Sequence, residues 1–491
     1  MRFQRRSVPP EIPVPDEVRR VHLIAVAGTG MGTLACMLAE RGYEVTGSDI
    51  AAYPPMGEQL REAGIDVLLG FSADHLKAVR PDLVVIGNAV RADNEEAVAV
   101  IAQGIPYLSF PDAVHYFFIR GKHSVVATGT HGKTTTTSLI GWILTHAGRD
   151  PSVLIGGVAE NFGLSYRIGS GDEFVIEGDE YDTAFFDKTP KFLHYAPKTL
   201  LLTSCEFDHA DIYDSLEQIQ QSFVDLVKLM PEDGRIIAAT DSQAVRQIVE
   251  GARASVEGYG FQEEAAWKVS DVTFDSEGTS FNVWSGGDRL GRVTAPMHGR
   301  HNLENILGSI AVCTGLGIEF DTIVEALREF KGVRRRQQVR GTAAGVTVVE
   351  DFAHHPTAVR ETLAAMRARY PDKALWAIFE PRTNTSRRRF FEDAYIEAFS
   401  GADHVVIAGV YQPEKIDEGD RFRPDRVVEE LRDRKVDAHY EPEIDGIIEL
   451  VAQKNRSADV ALIMSNGDFN NIYDRLLTRL SASETRQEKR K

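Results

Sequence analysis

The stretch ATGTHGKTTTT, residues 127–137, follows the apolar run SVVA and precedes an amphipathic one. Holding a phosphate takes converging N–H donors, a cation and a helix N-terminus. Gly129 and Gly132 let the backbone turn tightly around Thr130 and His131, and Lys133 can reach outer phosphates. Thr134 can place its hydroxyl on Mg²⁺ and, with Thr135, open the helix TTTTSLIGWILTHAG. The common phosphate-loop pattern has a glycine five residues before Gly132. Ala127 stands there, so this loop is a shorter G-x-x-G-K-T. A strand before it and a helix after it point to a nucleoside triphosphate rather than a chance Gly-Lys-Thr turn.

Metal ligands for such a nucleotide come from the carboxyl ends of neighbouring strands. FVIEGDEYD delivers Glu177, and LLLTSCEFDHADIYD delivers Asp208 and His209. Mg²⁺ prefers carboxylates and water, so a histidine ligand is less usual. Alone, Glu177 reads equally as a solvated acid in a turn and His209 as a polar turn residue. Their place after the phosphate loop favours both as ligands. A second glycine loop, VAGTGMGTLA, has Gly28, Gly30 and Gly32, with Thr33 where a dinucleotide fingerprint would carry its third glycine or alanine. Asp49 lies 21 residues beyond Gly28, about where a ribose-binding acid belongs. The loop suits the diphosphate of UDP as well as that of NAD, or a purely structural turn.

These loops need sheets to carry them. VHLIAVAG, YEVTGSD and PDLVVIGNAV alternate with helical segments, as in a parallel sheet. SVVATG, EFVIEGD, KTLLLTS and GRIIAAT form a second set, followed by the antiparallel-looking EEAAWKVSDVTFDSEGTSFNVW and the helix NLENILGSIAVCTGLG. GVTVVEDFA, ALWAIFEP, DHVVIAGV and ADVALIMSNG form a third. The expected fold is α/β in three domains, with boundaries at 1–120, 121–332 and 333–491. The outer two are Rossmann-like and the central one is a P-loop ATPase-like, mostly parallel sheet. The composition, 43% hydrophobic and 26% charged, is that of an ordinary globular protein. No apolar run reaches the length of a membrane span, and the N-terminus lacks the apolar region of a secretory signal. Cys36, Cys205 and Cys313 are too few and too scattered for a disulfide framework, which fits a reducing compartment. A net charge of −18 argues against non-specific nucleic-acid binding.

GTHGKTTT, EGDEYD, EFDHADIYD, GRHNLENILGSIAV, GVRRR and EDFAHHPTAV occur in the order seen in the Mur ligases. From about residue 21 to about 480 the chain resembles that family of ATP-dependent amide-bond synthetases of bacterial wall precursors. IGGVAENFG, GDEYDTAFFDKTPKFLHY, FEPRTNT and MSNG resemble the branch that recycles a wall tripeptide. The L-alanine-adding branch usually carries Ser where Tyr181 stands. The resemblance implies a cytoplasmic enzyme that uses ATP and Mg²⁺ to join UDP-N-acetylmuramate to L-alanyl-γ-D-glutamyl-meso-diaminopimelate. It implies no nucleic acid, membrane or obligate protein partner.

The resemblance also implies roles. Thr134, Glu177 and His209 would bind Mg²⁺, and Lys133 would hold the phosphates, with Lys133, Glu177 and His209 as the catalytic set. His301, Asn302 and Asn305 would meet the nucleotide; the two asparagines, three apart on a helix, share a face. Arg336 and Asp351 would be the third domain's contribution to ATP, with His354 and His355 beside it. Gly28, Gly30, Met31 and Gly32 would lie near the diphosphate, and Ser48 and Asp49 near uridine. Ser204 stands where the family often has Asn, and Gly178 where it often has Ala. In the third domain Arg382, with Asn384, is expected to take a carboxylate of the peptide, and Arg387 to Arg389 to form a solvated helix face. The rivals are an L-alanine ligase of the same family, an NAD-dependent oxidoreductase on residues 21–50, and a P-loop switch without ligase chemistry.

Overall fold

The computed structural model describes residues 14, 15, 17–208, 212–454 and 459–488, the side chains of 483–488 excepted. Packing divides the chain into two compact units. The first takes in the chain up to Cys205, with Glu217–Tyr259 and Gly308–Ile318. The second takes in Glu206–Leu216, Gly260–Leu307 and Glu319–Lys491.

The first unit holds two sheets. Five parallel strands lie in the order Asp66–Leu69, Glu44–Asp49, Arg20–Ile24, Leu83–Ile86, Tyr107–Ser109. The chain moves outward from Arg20–Ile24 on one side and then returns to its other side. Such a switch point opens a crevice at the carboxyl end of the strand, where the first glycine loop lies. The second sheet runs Ser255–Gly260, Arg235–Ala239, Thr199–Leu202, His123–Thr128, Glu173–Gly178, Ser152–Leu154, all parallel, and ends in the antiparallel Tyr166–Arg167. Its central strands are covered on both faces, which is why they read as unbroken apolar runs. Its switch point is the carboxyl end of His123–Thr128, where the phosphate loop begins.

The second unit contains the antiparallel trio Trp267–Phe274, Thr279–Ser285, Asp288–Ala295. Its main sheet runs Gln338–Ala343, Val346–Asp351, Val460–Met464, Leu375–Phe379, His404–Ile407, Asp437–Tyr440, parallel except for the first strand. Alternation sends Val349, Ala377 and Phe379 into one core and Val348, Trp376 and Ile378 into another. Packing groups Gly260–Leu307 with the third sheet rather than the second. His301 and Gln337 meet there at 3.2 Å, and a side chain on Gly299 would strike Ala365. Among the described residues no helix is long and apolar enough to cross a membrane. The three cysteines are buried and unpaired with one another.

Candidate active site

The buried strand His123–Thr128 delivers the phosphate loop, and the loop is tied to the next strand end. A Cβ on Gly129, whose φ is 128°, would lie 2.3 Å from Thr203 Oγ1 and 2.7 Å from the Ser204 nitrogen. Only glycine fits. Ser204 Oγ accepts from the His131 N–H at 2.9 Å, and the Ser204 carbonyl accepts from Thr130 at 3.2 Å. The serine therefore anchors the loop. Gly132, with φ at 83°, caps the helix Lys133–His146, whose first residues are Lys133, Thr134 and Thr135.

Parallel pairing sets Ala127 beside Glu177, bringing that carboxylate to the loop. Thr134 donates its hydroxyl to Glu177 Oε1 at 3.1 Å, and Gly156 donates its N–H to Oε2 at 2.8 Å. Hydroxyl and carboxylate oxygens side by side are the donor set of a hard cation, so these residues fit Mg²⁺. Lys133 Nζ donates to the Gly129 carbonyl at 2.7 Å, to Thr130 at 3.2 Å and to Glu180 Oε1 at 2.9 Å. Burial alone would push this ammonium down. Glu180, with Asp179 and Glu177, outweighs burial and holds it above its ordinary value.

A cavity of about 350 Å³ lies in the same unit. Gly28, Gly30 and Met31, at the N-terminus of the helix Thr29–Glu40, line it. Glu177, Asp179 and Lys191 line it as well. Gly32 is needed for packing, since a Cβ there would meet Met56 Sδ at 2.1 Å. Asp49 Oδ2 accepts from the Ala27 N–H at 2.8 Å and so shapes the loop. Ser48 faces the other way. It is fully buried and donates to Glu96 Oε2 at 2.7 Å, because strand alternation turns it to the core face opposite Asp49.

In the second unit, Asn302 and Asn305 are buried on one helix face, 3.4 Å apart, and Asn302 donates to the His298 carbonyl. Arg336 lies over the Phe352 ring at 4.6 Å. Asp351 accepts from the Gln337 and Ala353 N–H groups at 2.8 and 2.7 Å, and burial pushes its carboxyl up. His355 caps the helix Pro356–Arg369 and donates to the Phe207 carbonyl, while His354 donates to Phe352. Asp208 is buried and accepts from Thr385. His209 lies outside the described residues. Arg382 stacks on Tyr411 at 3.9 Å and donates to Glu380 at 3.3 Å. Asn384 accepts from Arg387. Arg387 is no solvated helix residue: it is buried in a turn and donates to the carbonyls of Thr383, Tyr411 and Gln412.

Three stretches match known domains: residues 20–120 the Mur ligase family catalytic domain, 127–313 the Mur ligase middle domain, and 335–467 the Mur ligase glutamate ligase domain. The chain belongs to the Mur ligase family. Across 94% of its length it is 40% identical to the UDP-N-acetylmuramate–L-alanyl-γ-D-glutamyl-meso-2,6-diaminoheptandioate ligase of Escherichia coli, covering 98% of that protein. It is 33% identical to the UDP-N-acetylmuramate–L-alanine ligase of Caldanaerobacter subterraneus, over 94% of the chain and 98% of the relative. Among solved structures, the murein peptide ligase of Psychrobacter arcticus superposes with a TM-score of 0.70 at 32% identity, over 94% of this chain and 99% of that one.

This Mur ligase is therefore an enzyme of three α/β domains, not an oxidoreductase or a bare switch. Sequence reasoning passed over Glu180, Asp179 and Lys191, which the fold gathers around the phosphate loop and the cavity. Their only signal was charge density in EGDEYDTAFFDKTPK, which does not say which acid meets which base.

Proposed function

We propose that this Mur ligase joins UDP-N-acetylmuramate to L-alanyl-γ-D-glutamyl-meso-diaminopimelate while splitting ATP to ADP and phosphate, so that wall peptides are reused. The observation that carries this reading is the cavity joining a diphosphate-ready helix N-terminus at Gly28 to Glu177, itself bonded to the phosphate loop at Thr134. The identity to the E. coli ligase supports the tripeptide over L-alanine. We assign the UDP-sugar to residues 1–120, ATP to 121–332 and the amine to 333–491.

A carboxylate resists attack by an amine at neutral pH. An oxygen of the sugar acid attacks the γ-phosphorus of ATP, ADP leaves, and an acyl phosphate forms. The amine then attacks the acyl carbon, phosphate departs with the C–O bond, and the amine loses a proton. Lys133 stabilises charge on the phosphoryl group. Thr134 and Glu177 would hold Mg²⁺, which neutralises phosphate charge when bound. Assaying L-alanine and the tripeptide side by side as acceptors, each with UDP-N-acetylmuramate and ATP, tests the reading. Phosphate release that depends on L-alanine and not on the tripeptide would overturn it.

A further inference from the structure

Among the described residues, Lys191 is the one basic residue on the wall of the 350 Å³ cavity, and Glu177 and Asp179 are the two acids. It opens the 3-10 turn Lys191–His194, just after the hairpin Asp182–Ala184 and Asp187–Pro190. The turn is pinned to the strand end that carries Glu177. Lys191 donates its N–H to the Tyr181 carbonyl at 3.0 Å, and Phe192 to that of Asp179 at 3.2 Å. The side chain is 15% exposed, with Nζ 2.7 Å from Asp179 Oδ2 and 5.6 Å from the centre of the Tyr181 ring.

A role for Lys191 follows if the cavity holds the sugar acid, as proposed above. With the diphosphate at the helix N-terminus, the reacting carboxylate must come toward Glu177, which Thr134 bonds to the phosphate loop. Glu177 and Asp179 both line the cavity, and like charges repel in a partly desolvated site. Lys133 already serves the phosphate loop. An ammonium has three donors, and Asp179 takes one of those of Lys191. We propose that Lys191 binds the carboxylate that is to be phosphorylated, with Asp179 aiming its ammonium into the cavity. The bland alternative is that Lys191 only neutralises Asp179.

The test is calorimetric binding of UDP-N-acetylmuramate and of UDP-N-acetylglucosamine, which lacks the lactyl carboxylate. The wild type should prefer the acid. In Lys191→Met that preference should fall about tenfold, the worth of one charge-assisted hydrogen bond, while affinity for UDP-N-acetylglucosamine holds. Lys191→Met strands Asp179, so Asp179→Asn/Lys191→Met, which removes both charges, is measured beside it. It too should bind UDP-N-acetylglucosamine as the wild type does and lack the preference. A double variant that keeps the wild-type preference overturns the inference, as does a wild type that binds both sugars equally; the UDP reading survives either result. A wild type that binds neither sugar nucleotide overturns the functional reading and the inference with it.

Discussion

The ammonium of Lys133 lies 2.9 Å from Oε1 of Glu180, a residue only 2% exposed. The phosphate loop thus closes on its own cation, and a nucleotide phosphate bound there would compete with a carboxylate for it. Lys133→Ala should cost about 3 kcal/mol in stability, because it leaves Glu180 buried without its countercharge. Lys133→Ala/Glu180→Gln should recover most of that loss in thermal unfolding. Neither variant should ligate, and both should still bind UDP-N-acetylmuramate. If the double variant melts no higher than the single one, the pair is not the source of the loss.

Glu177 presents one oxygen to Thr134 and the other to Gly156. Glu177→Gln removes the charge and keeps the shape, so half-maximal ligation should need several-fold more Mg²⁺. Thr134→Val should shift the same titration in the same direction. An unchanged Mg²⁺ dependence in both takes them out of the metal shell.

Arg382 is held between Tyr411 and Gly467, where a Cβ on Gly467 would fall 2.2 Å from Arg382 Nε. Lysine keeps the charge but loses both the fork and the stack. Arg382→Lys should raise the tripeptide KM about tenfold and leave the ATP KM alone. Gly467→Ala, which displaces the guanidinium, should act the same way. A fall in melting temperature with tripeptide KM and kcat unaltered would make Arg382 a structural residue of its domain.

His194 sits 2.8 Å from Asp112 and 3.4 Å from Asp187. Burial would lower its pKa, but the hydrogen bond and charge of Asp112, aided by Asp187, hold it above the ordinary value. A raised folded pKa contributes stability that is fully present below the unfolded value, about 6.5, and lost as pH rises through the folded one. The stability gap between wild type and His194→Gln should therefore narrow as pH climbs from about 6 to about 9. A gap that stays flat, followed by urea unfolding, counts against a charged pair.

What could be read along the chain was what is local. The phosphate loop, Glu177 at a strand end and the antiparallel trio are each written in consecutive residues, and they sit in the elements expected. The bond of Ser48 was not legible because its partner, Glu96, lies 48 residues away on a helix. Arg387 was misread because the carbonyls it satisfies at Tyr411 and Gln412 come from a separate loop. Glu180, Lys191 and His194 share a stretch with no helical or strand period. Hairpin register, not spacing, decides which of its charges meet.

Holding an anion with Lys191 beside Glu177 and Asp179 would have a kinetic side as well. The chain carries a net charge of −18, so at long range its field would oppose the approach of a sugar nucleotide with several negative charges. Encounter is then a search against the protein's own field rather than one steered by it. Added salt shortens the reach of that field, to about 8 Å at physiological ionic strength, and so would hasten capture of the ligand even as it weakened the grip proposed for Lys191.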